Sequence, residues 1–292
     1  MAWGKGSRPL SILVGLMAII LAGCSMKALT IRSMEPIMRD MDLAVNRSTD
    51  VEMLKDALPA FLVQMDGLIL ASESPSLLLK AAEANFGYAN AFLEDTDKPR
   101  ASALYLKARD YAARALYGTG PHEKALEEPL EAFTKTLGRF TRPDVPALFW
   151  TANCWLAWGA LNLDRSEAVM DMPKAQAMLE RVIELDETFF YGAAHAALGA
   201  IHAAKGGLVR GSLERAKEHF DKAFAISQGR LQFIPLYYAQ YYAYQTQDRD
   251  LFVSTLEGIL ARRPDAYPDK AFVNEVARRK AKVLLENVDM YF

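Results

Sequence analysis

Four histidines are the residues best suited to metal or acid–base chemistry in this 292-residue chain: His122, His195, His202 and His219. His195 and His202 are seven positions apart, so on a helix they share a face with Tyr191. A helical zinc pair normally has a spacing of three or four residues and a third ligand, neither of which is evident. The pattern favours packed or hydrogen-bonded histidines, with a pH-sensitive cavity residue as the alternative. No metal site is predicted.

Other catalytic patterns are incomplete. The stretch Gly206-Gly207-Leu-Val-Arg210-Gly211-Ser212 suggests a phosphate loop, but it lacks the Gly-Lys-Ser/Thr ending and a preceding strand. It fits better as a turn between helices. There is no Gly-x-Ser-x-Gly elbow and no nucleophile–base arrangement. We therefore expect neither an enzyme nor a cofactor.

One cysteine has a distinct chemical context. The N-terminus carries Lys5 and Arg8, then an apolar stretch, and ends in Leu21-Ala22-Gly23-Cys24-Ser25. This layout is typical of a secretory signal followed by a bacterial lipobox. It predicts a lipoprotein signal peptide over 1–23, a lipidated Cys24 and a tether over 24–30, with an ordinary secretory signal as the alternative. Lipidation would anchor the mature protein in a membrane from the periplasm, and Ser25 favours the outer membrane.

The overall composition describes a helical globular chain. Apolar residues make up 51%, charged residues 24%, and 45 residues are alanine, the strongest helix former. The net charge of −2 shows no basic excess, so nucleic acid is not an expected partner. The second cysteine, Cys154, lies in an apolar run and is read as a small core residue.

Helical segments recur at roughly the 34-residue period of tetratricopeptide (TPR) repeats. In the segment 82–115, Ala89 occupies the small position of the first helix. Residues Ala101, Tyr105 and Ala108 then place a large side chain between two small ones on the second helix. Similar patterns occur over 152–187 and 192–228, whereas 233–266 keeps the large residues but lacks both alanines of the second helix. The prediction is an all-α, TPR-like helical-repeat solenoid over 31–292, with capping helices at both ends.

The first helices of three successive repeats carry no charged residue: Val145–Leu163, Phe189–Ala204 and Leu231–Gln247. A helix that is apolar on every side is expected to be buried on every side. We expect these helices to enclose an apolar ligand cavity, with a filled core as the alternative. The residues expected to line it are Phe86, Asn90, Leu156, Ala160, Tyr191, His195, Ala196, Ala200, Tyr237, Tyr241 and Tyr244.

Several longer strings resemble one family. They include Asp56-Ala-Leu-Pro-Ala-Phe-Leu62, Val145-Pro-Ala-Leu-Phe-Trp150 with Trp155 and Trp158, and Leu185-Asp-Glu-Thr-Phe-Phe-Tyr-Gly-Ala-Ala-His195. Together they are similar to the T-component (TatT) of tripartite ATP-independent periplasmic (TRAP) transporters, over about residues 30–292. The resemblance implies a periplasmic lipoprotein that associates with the solute-binding P-component. It also implies a homotrimer and an apolar channel for a hydrophobic small molecule or lipid.

The predicted function is thus an accessory TRAP subunit that binds an apolar small ligand. The alternative is an envelope-anchored TPR scaffold for protein–protein assembly. A groove that binds a peptide usually carries Lys or Arg to hold the peptide carboxylate, and the predicted inner face has neither. The sequence therefore favours the ligand-binding function.

Overall fold

A computed structural model describes residues 33–206, 209 and 211–292. The predicted signal peptide, the lipidated Cys24 and the tether over 24–30 lie outside the described residues. In the described part of the chain the secondary structure is helical and contains no strand. The predicted all-α class is confirmed.

Three helices form the N-terminal part: α1 over 33–47, α2 (Val51–Ala71) and α3 (Pro75–Tyr88). The Asp50 carboxylate accepts a hydrogen bond from the Met53 backbone N–H at 3.0 Å, which satisfies one free donor at the start of α2. Ser74 caps α3 in the same way. Pro59 lies inside α2.

The next helix, α4 (Lys98–Tyr117), ends at Gly118 with a φ of 85°, a conformation that favours glycine. Two short helices follow: α5 (Pro121–Glu127) and α6 (Leu130–Leu137). Pro129 separates them because its preceding residue is sterically biased away from helical conformation. The pattern of apolar residues alone did not indicate this break.

The described residues after α6 form seven further α-helices. They are α7 (Val145–Leu161), α8 (Ser166–Asp186), α9 (Ala193–Lys205), α10 (Ser212–Ser227), α11 (Phe233–Tyr237), α12 (Arg249–Leu260) and α13 (Ala271–Glu286). Two π-helical turns, Ala89–Leu93 and Tyr238–Ala243, extend α3 and α11.

Consecutive helices pack as pairs, most extensively α3 with α4, α7 with α8, and α9 with α10. The small–large–small positions predicted on the second helices are all fully buried: Ala101, Tyr105 and Ala108 on α4, Ala175, Leu179 and Val182 on α8, and Ala216, Phe220 and Ala223 on α10. Small residues allow the helices of a pair to approach closely, while the large residue fills the space beside them.

The two ends of the described chain meet. Helix α13 packs against α2, and the Arg279 guanidinium donates a hydrogen bond to Glu52. Arg47, at the end of α1, donates to Asp269 at 2.7 Å. The C-terminal helix therefore joins the N-terminal helices as well as covering α12. This closure places an interior space between the first three helices and the last.

Candidate functional site

A cavity of about 180 Å³ lies in this interior, with walls from α1, α2, α3, α7, α9, α11 and α13. An engineered apolar cavity of about 150 Å³ is enough to bind benzene. Most of the lining side chains are aliphatic or aromatic. Apart from tyrosines, the polar lining residues are Asp42, Asn46, Glu83, Asn90, Asn153 and Lys270.

Aromatic rings form much of one wall. Trp150 on α7 lies edge-on to Phe86 at 5.4 Å and to Phe190 at 5.4 Å between ring centroids. Phe149 also contacts Phe190, at 5.6 Å. Tilted and edge-on contacts of this kind are the favoured geometries for aromatic pairs. They give the wall a fixed shape, because each ring restricts its neighbour.

The predicted cavity residues fall into two groups. Phe86, Asn90, Ala196 and Tyr237 line the cavity. The other seven do not. Tyr191 borders a separate surface depression beside Arg230.

The other predicted cavity residues lie elsewhere in the fold. Leu156 and Ala200 are partly buried against the core, and Ala160 is exposed. Tyr241 is about one-third exposed (36%), with its ring edge-on to Tyr237 at 5.8 Å. Tyr244 packs against Tyr291 and Phe292 near the C-terminus.

Several of the residues missed by sequence reasoning come from the two ends of the described chain. Asp42, Leu58 and Phe61 enter the cavity from α1 and α2, and Lys270 and Phe272 enter it from the start of α13. Apart from Phe86 and Asn90, the residues predicted from the sequence lie in the charge-free segments in the middle of the chain. Phe272 and Val276, four positions apart, were a usable signal for an inward face on the otherwise charged last helix.

The cavity has a polar end at Asn90. The Asn90 amide donates to Glu94 Oε2 at 2.6 Å, and the Tyr105 hydroxyl donates to the same oxygen at 3.3 Å. Lys280 pairs with Asp95 at 2.6 Å beside them. Burial raises the pKa of Tyr105 well above its ordinary value, so its hydroxyl stays a hydrogen-bond donor.

Both π-helical turns contribute to this polar end. Ala89–Leu93 carries Asn90, and Tyr237 immediately precedes the turn Tyr238–Ala243. Burial raises the pKa of Tyr237, and the negative charge of Glu94 raises it further. Such turns occur often at functional sites because they change the direction of side chains within a helix. Here they flank the polar end of the cavity.

Three of the four histidines form a cluster between α9 and α10. His195 Nδ1 and His219 Nδ1 are 2.9 Å apart, and the rings of His202 and His219 stack at 5.5 Å with an interplanar angle of 9°. Glu187 Oε2 lies 3.4 Å from His195 Nε2. Within the described ranges, no group of three metal-ligating side chains is arranged around a common point. The histidine cluster packs two helices together and does not line the cavity.

Burial of the three histidine rings disfavours their protonation. Burial lowers the pKa of His219 to about 4, with the charges of His195 and His202 acting in the same direction. Burial also lowers the pKa of His195 and of His202. A direct bond between two Nδ1 atoms requires one to donate and the other to accept, so at least one of the two rings is neutral.

Cys154 is a buried free thiol on α7. Burial raises its pKa above the ordinary value, which keeps it in the unreactive thiol form. Its expected role as a packed core residue agrees with this environment.

In the described part of the chain, the fold defines an all-helical protein with an apolar cavity among its helices. A family model described as TRAP transporter T-component matches residues 47–292. The chain belongs to this family, which gives it an accessory role in a TRAP transporter. T-components are transporter subunits rather than enzymes.

One relative is an uncharacterized protein of Treponema pallidum (strain Nichols). It is 23% identical over 305 aligned residues, which cover 94% of each chain. The similarity therefore extends over nearly the whole of both proteins. Across residues 33–206, 209 and 211–292, no helix is long and apolar enough to cross a membrane.

Proposed function

We propose that this T-component binds an apolar small molecule in the cavity and associates with the solute-binding P-component of its transporter. The single observation that carries the proposal is the apolar cavity between the N-terminal helices and α13. Concave, mostly apolar pockets with a few polar groups are the usual form of small-ligand sites. A T-component with such a site can hold a ligand that is passed to or from the P-component.

The proposed setting is the periplasmic side of the outer membrane, reached through the lipidated Cys24. The paired helices, with small residues at their crossings, support a TPR-like solenoid as the scaffold. Homotrimer formation is a further part of the proposal, derived from the family resemblance.

Filling the cavity with a larger side chain should prevent binding. Ala196 is buried, at 2% exposure, and lines the cavity from α9. We expect Ala196→Trp to weaken binding of the uncharged dye N-phenyl-1-naphthylamine at least tenfold, because the indole occupies the ligand's volume. Binding is measured by dye fluorescence. Circular dichroism checks that helicity is retained.

Ala204→Trp is the matched control, since Ala204 lies on the same helix but is exposed. It should bind the dye as the wild type does. Ala84→Phe, which also enters the cavity, provides a second test if the Trp variant folds poorly. Wild-type affinity in both cavity variants would show that the dye binds elsewhere and would contradict the proposed site.

Association with the P-component is tested separately by native mass spectrometry. We expect the wild-type protein and the purified P-component of the same transporter to form a complex at micromolar concentrations, as transient complexes do. Ala196→Trp should still form this complex, because the substituted residue is buried. No complex over a range of salt and protein concentrations would contradict the association but not the cavity.

A further inference from the structure

The outward side of α2 carries no charge from Ala57 to Ala71. The one charged residue of this stretch is Asp66, which is turned into the fold and accepts a hydrogen bond from the Tyr111 hydroxyl at 2.7 Å. The exposed residues recur every three or four positions, so they lie along one side of the helix. This uncharged face of α2 consists of Ala57, Ala60, Val63, Gln64, Gly67, Leu70 and Ala71.

Two large apolar side chains on the uncharged face are mostly in contact with solvent. Leu70 is 91% exposed and Val63 is 70% exposed, and Leu70 is the most exposed large apolar residue in the part of the chain that the structure describes. A surface helix normally has polar or charged residues on the side away from the core. The outward side of α10 follows this rule, with exposed Glu214, Arg215, Lys217, Glu218, Asp221 and Lys222. The uncharged face of α2 is therefore suited to an apolar environment.

The start of α1 lies beside the end of α2 that carries Leu70. The Ser76 hydroxyl, at the start of α3, donates a hydrogen bond to Glu35 Oε1 on α1 at 2.6 Å. Helix α3 itself follows α2 after the short connection 72–74. Ile37, which is 58% exposed on the first turns of α1, adds an exposed apolar side chain at this end. The chain that precedes α1 therefore joins the fold close to the uncharged face.

The predicted lipid anchor is within reach of this face. Cys24 precedes Ser33, where α1 begins, by nine positions, and nine residues span at most about 30 Å. The uncharged face extends over fourteen positions of α2, which corresponds to about 21 Å along the helix axis. An acyl chain on Cys24 would therefore hold the whole face near the bilayer in which it is inserted.

We propose that the uncharged face of α2 lies on the surface of the bilayer that holds Cys24, with Val63 and Leu70 inserted at the boundary between headgroups and acyl chains. This inference rests on the lipidated Cys24 of the proposed function. It adds a second contact with the membrane. A flexible tether alone leaves the protein free to rotate, whereas a tether and a helix face together fix which side of the fold points away from the membrane.

The composition of the face favours lipid over a protein partner. The residues that contribute most to protein–protein binding are usually Trp, Tyr and Arg, and the uncharged face has none of them. Its one side chain with hydrogen-bonding groups is Gln64. A helix face in the interfacial region of a bilayer needs no directional partners, and its binding increases with the apolar area that it buries. The tether also keeps the local concentration of lipid high, so a face of modest area is sufficient.

A fluorescent label on the uncharged face tests its contact with lipid. Gly67 is a suitable position, because a Cβ there would meet no atom within 4 Å. The lipidated full chain with Gly67→Cys is labelled with nitrobenzoxadiazole, and the buried thiol of Cys154 does not compete for the label. The protein is then bound to vesicles of phosphatidylethanolamine and phosphatidylglycerol. Half of the samples contain phospholipids with a spin-label quencher on the acyl chain.

We expect the spin-labelled lipids to remove at least about half of the fluorescence at position 67, because an interfacial helix face lies about 5–10 Å deep, next to the acyl chains. Gly258→Cys on α12 is the matched control, since it is also an exposed glycine where a Cβ would meet no atom within 4 Å. Its label should lose no more than about a tenth as much. Adding Leu70→Asp to the Gly67→Cys protein should at least halve the quenching, because a carboxylate is costly among acyl chains.

The possible results separate this inference from the proposed function. Protein that floats with the vesicles but shows equal quenching at positions 67 and 258 would overturn the inference alone. A label at position 67 that is shielded from water but not quenched by the spin-labelled lipids would also overturn it, because a second copy or another protein would then cover the face. Protein that does not float with the vesicles would contradict the lipid anchor of the proposed function together with this inference. Dye binding in the cavity is measured independently, and Leu70→Asp should leave it unchanged.

Discussion

Phe220→Ala is expected to lower the free energy of unfolding by about 3–5 kcal/mol, the usual cost of truncating a buried aromatic residue. Phe220 is fully buried on α10. Its ring lies directly against the backbone of α9, where a Cβ on Gly199 would approach it to 2.8 Å. It also meets the ring of Tyr238 edge-on at 5.2 Å.

The size of this effect follows from the small residues that surround Phe220 on the two helices it joins. Gly199 has no side chain, and the other buried residues beside Phe220 on its helix are Ala216 and Ala223. The vacated volume therefore remains a cavity, which adds to the lost burial of the ring. Urea unfolding followed by circular dichroism measures the change.

Glu218→Ala is the matched control for this prediction. Glu218 is exposed on the same helix, and surface substitutions usually change stability by less than about 0.5 kcal/mol. A loss below about 1 kcal/mol for Phe220→Ala would mean that α9 and α10 do not depend on this contact. The assignment of the large position in the helix pair would then be wrong.

The same crossing shows which part of the fold the sequence could predict. Ala216, Phe220 and Ala223 recur at helical spacing, and so do their counterparts on α4 and α8, so a local pattern identified the buried stripe. Gly199 fits the pattern because only a small residue allows the ring of Phe220 so close. Local periodicity therefore predicts the helices and the faces through which they pair, because close packing needs a small residue opposite each large one.

The candidate site was predicted less completely, because half of it depends on contacts between distant parts of the chain. Lys270 and Asp42 are more than two hundred residues apart, and nothing in either segment indicates that they face one cavity. The left-handed backbone at Phe190 and Tyr191, with φ values of 46° and 60°, was also unexpected. Both residues read as the start of an apolar helix, and Gly192 alone hinted at a turn.

Lowering the pH is expected to weaken the packing of α9 against α10 through the histidine cluster. The folded-state pKa of His219 is about 4, below the ordinary value of 6.5. The unfolded chain therefore binds a proton at higher pH than the folded chain does. The stabilisation of the folded state that comes from neutral His219 is present above pH 6.5 and is lost as the pH falls towards 4. For a half-buried group, this difference corresponds to roughly 2–3 kcal/mol.

The charged groups around the histidine cluster raise the pKa of its rings in some cases and lower it in others. Glu187 faces His195 and raises its pKa, while Lys222 lowers it. Arg215 and Lys205 lower the pKa of His202, and Glu180 raises it. Burial is the largest cause at all three rings. The net expectation is a cluster that is neutral in the folded protein and gains charge only at a cost in stability.

His219→Gln separates this effect from the general acid sensitivity of the protein, because glutamine keeps a polar side chain but does not titrate. The free energy of unfolding is measured in urea at pH 7 and pH 4.5 for both proteins. We expect the wild type to lose at least about 1 kcal/mol more than His219→Gln between these pH values. Lys217→Gln, exposed on the same helix, should lose as much as the wild type. Equal losses in the wild type and His219→Gln would show that protonation of His219 does not lower the free energy of unfolding.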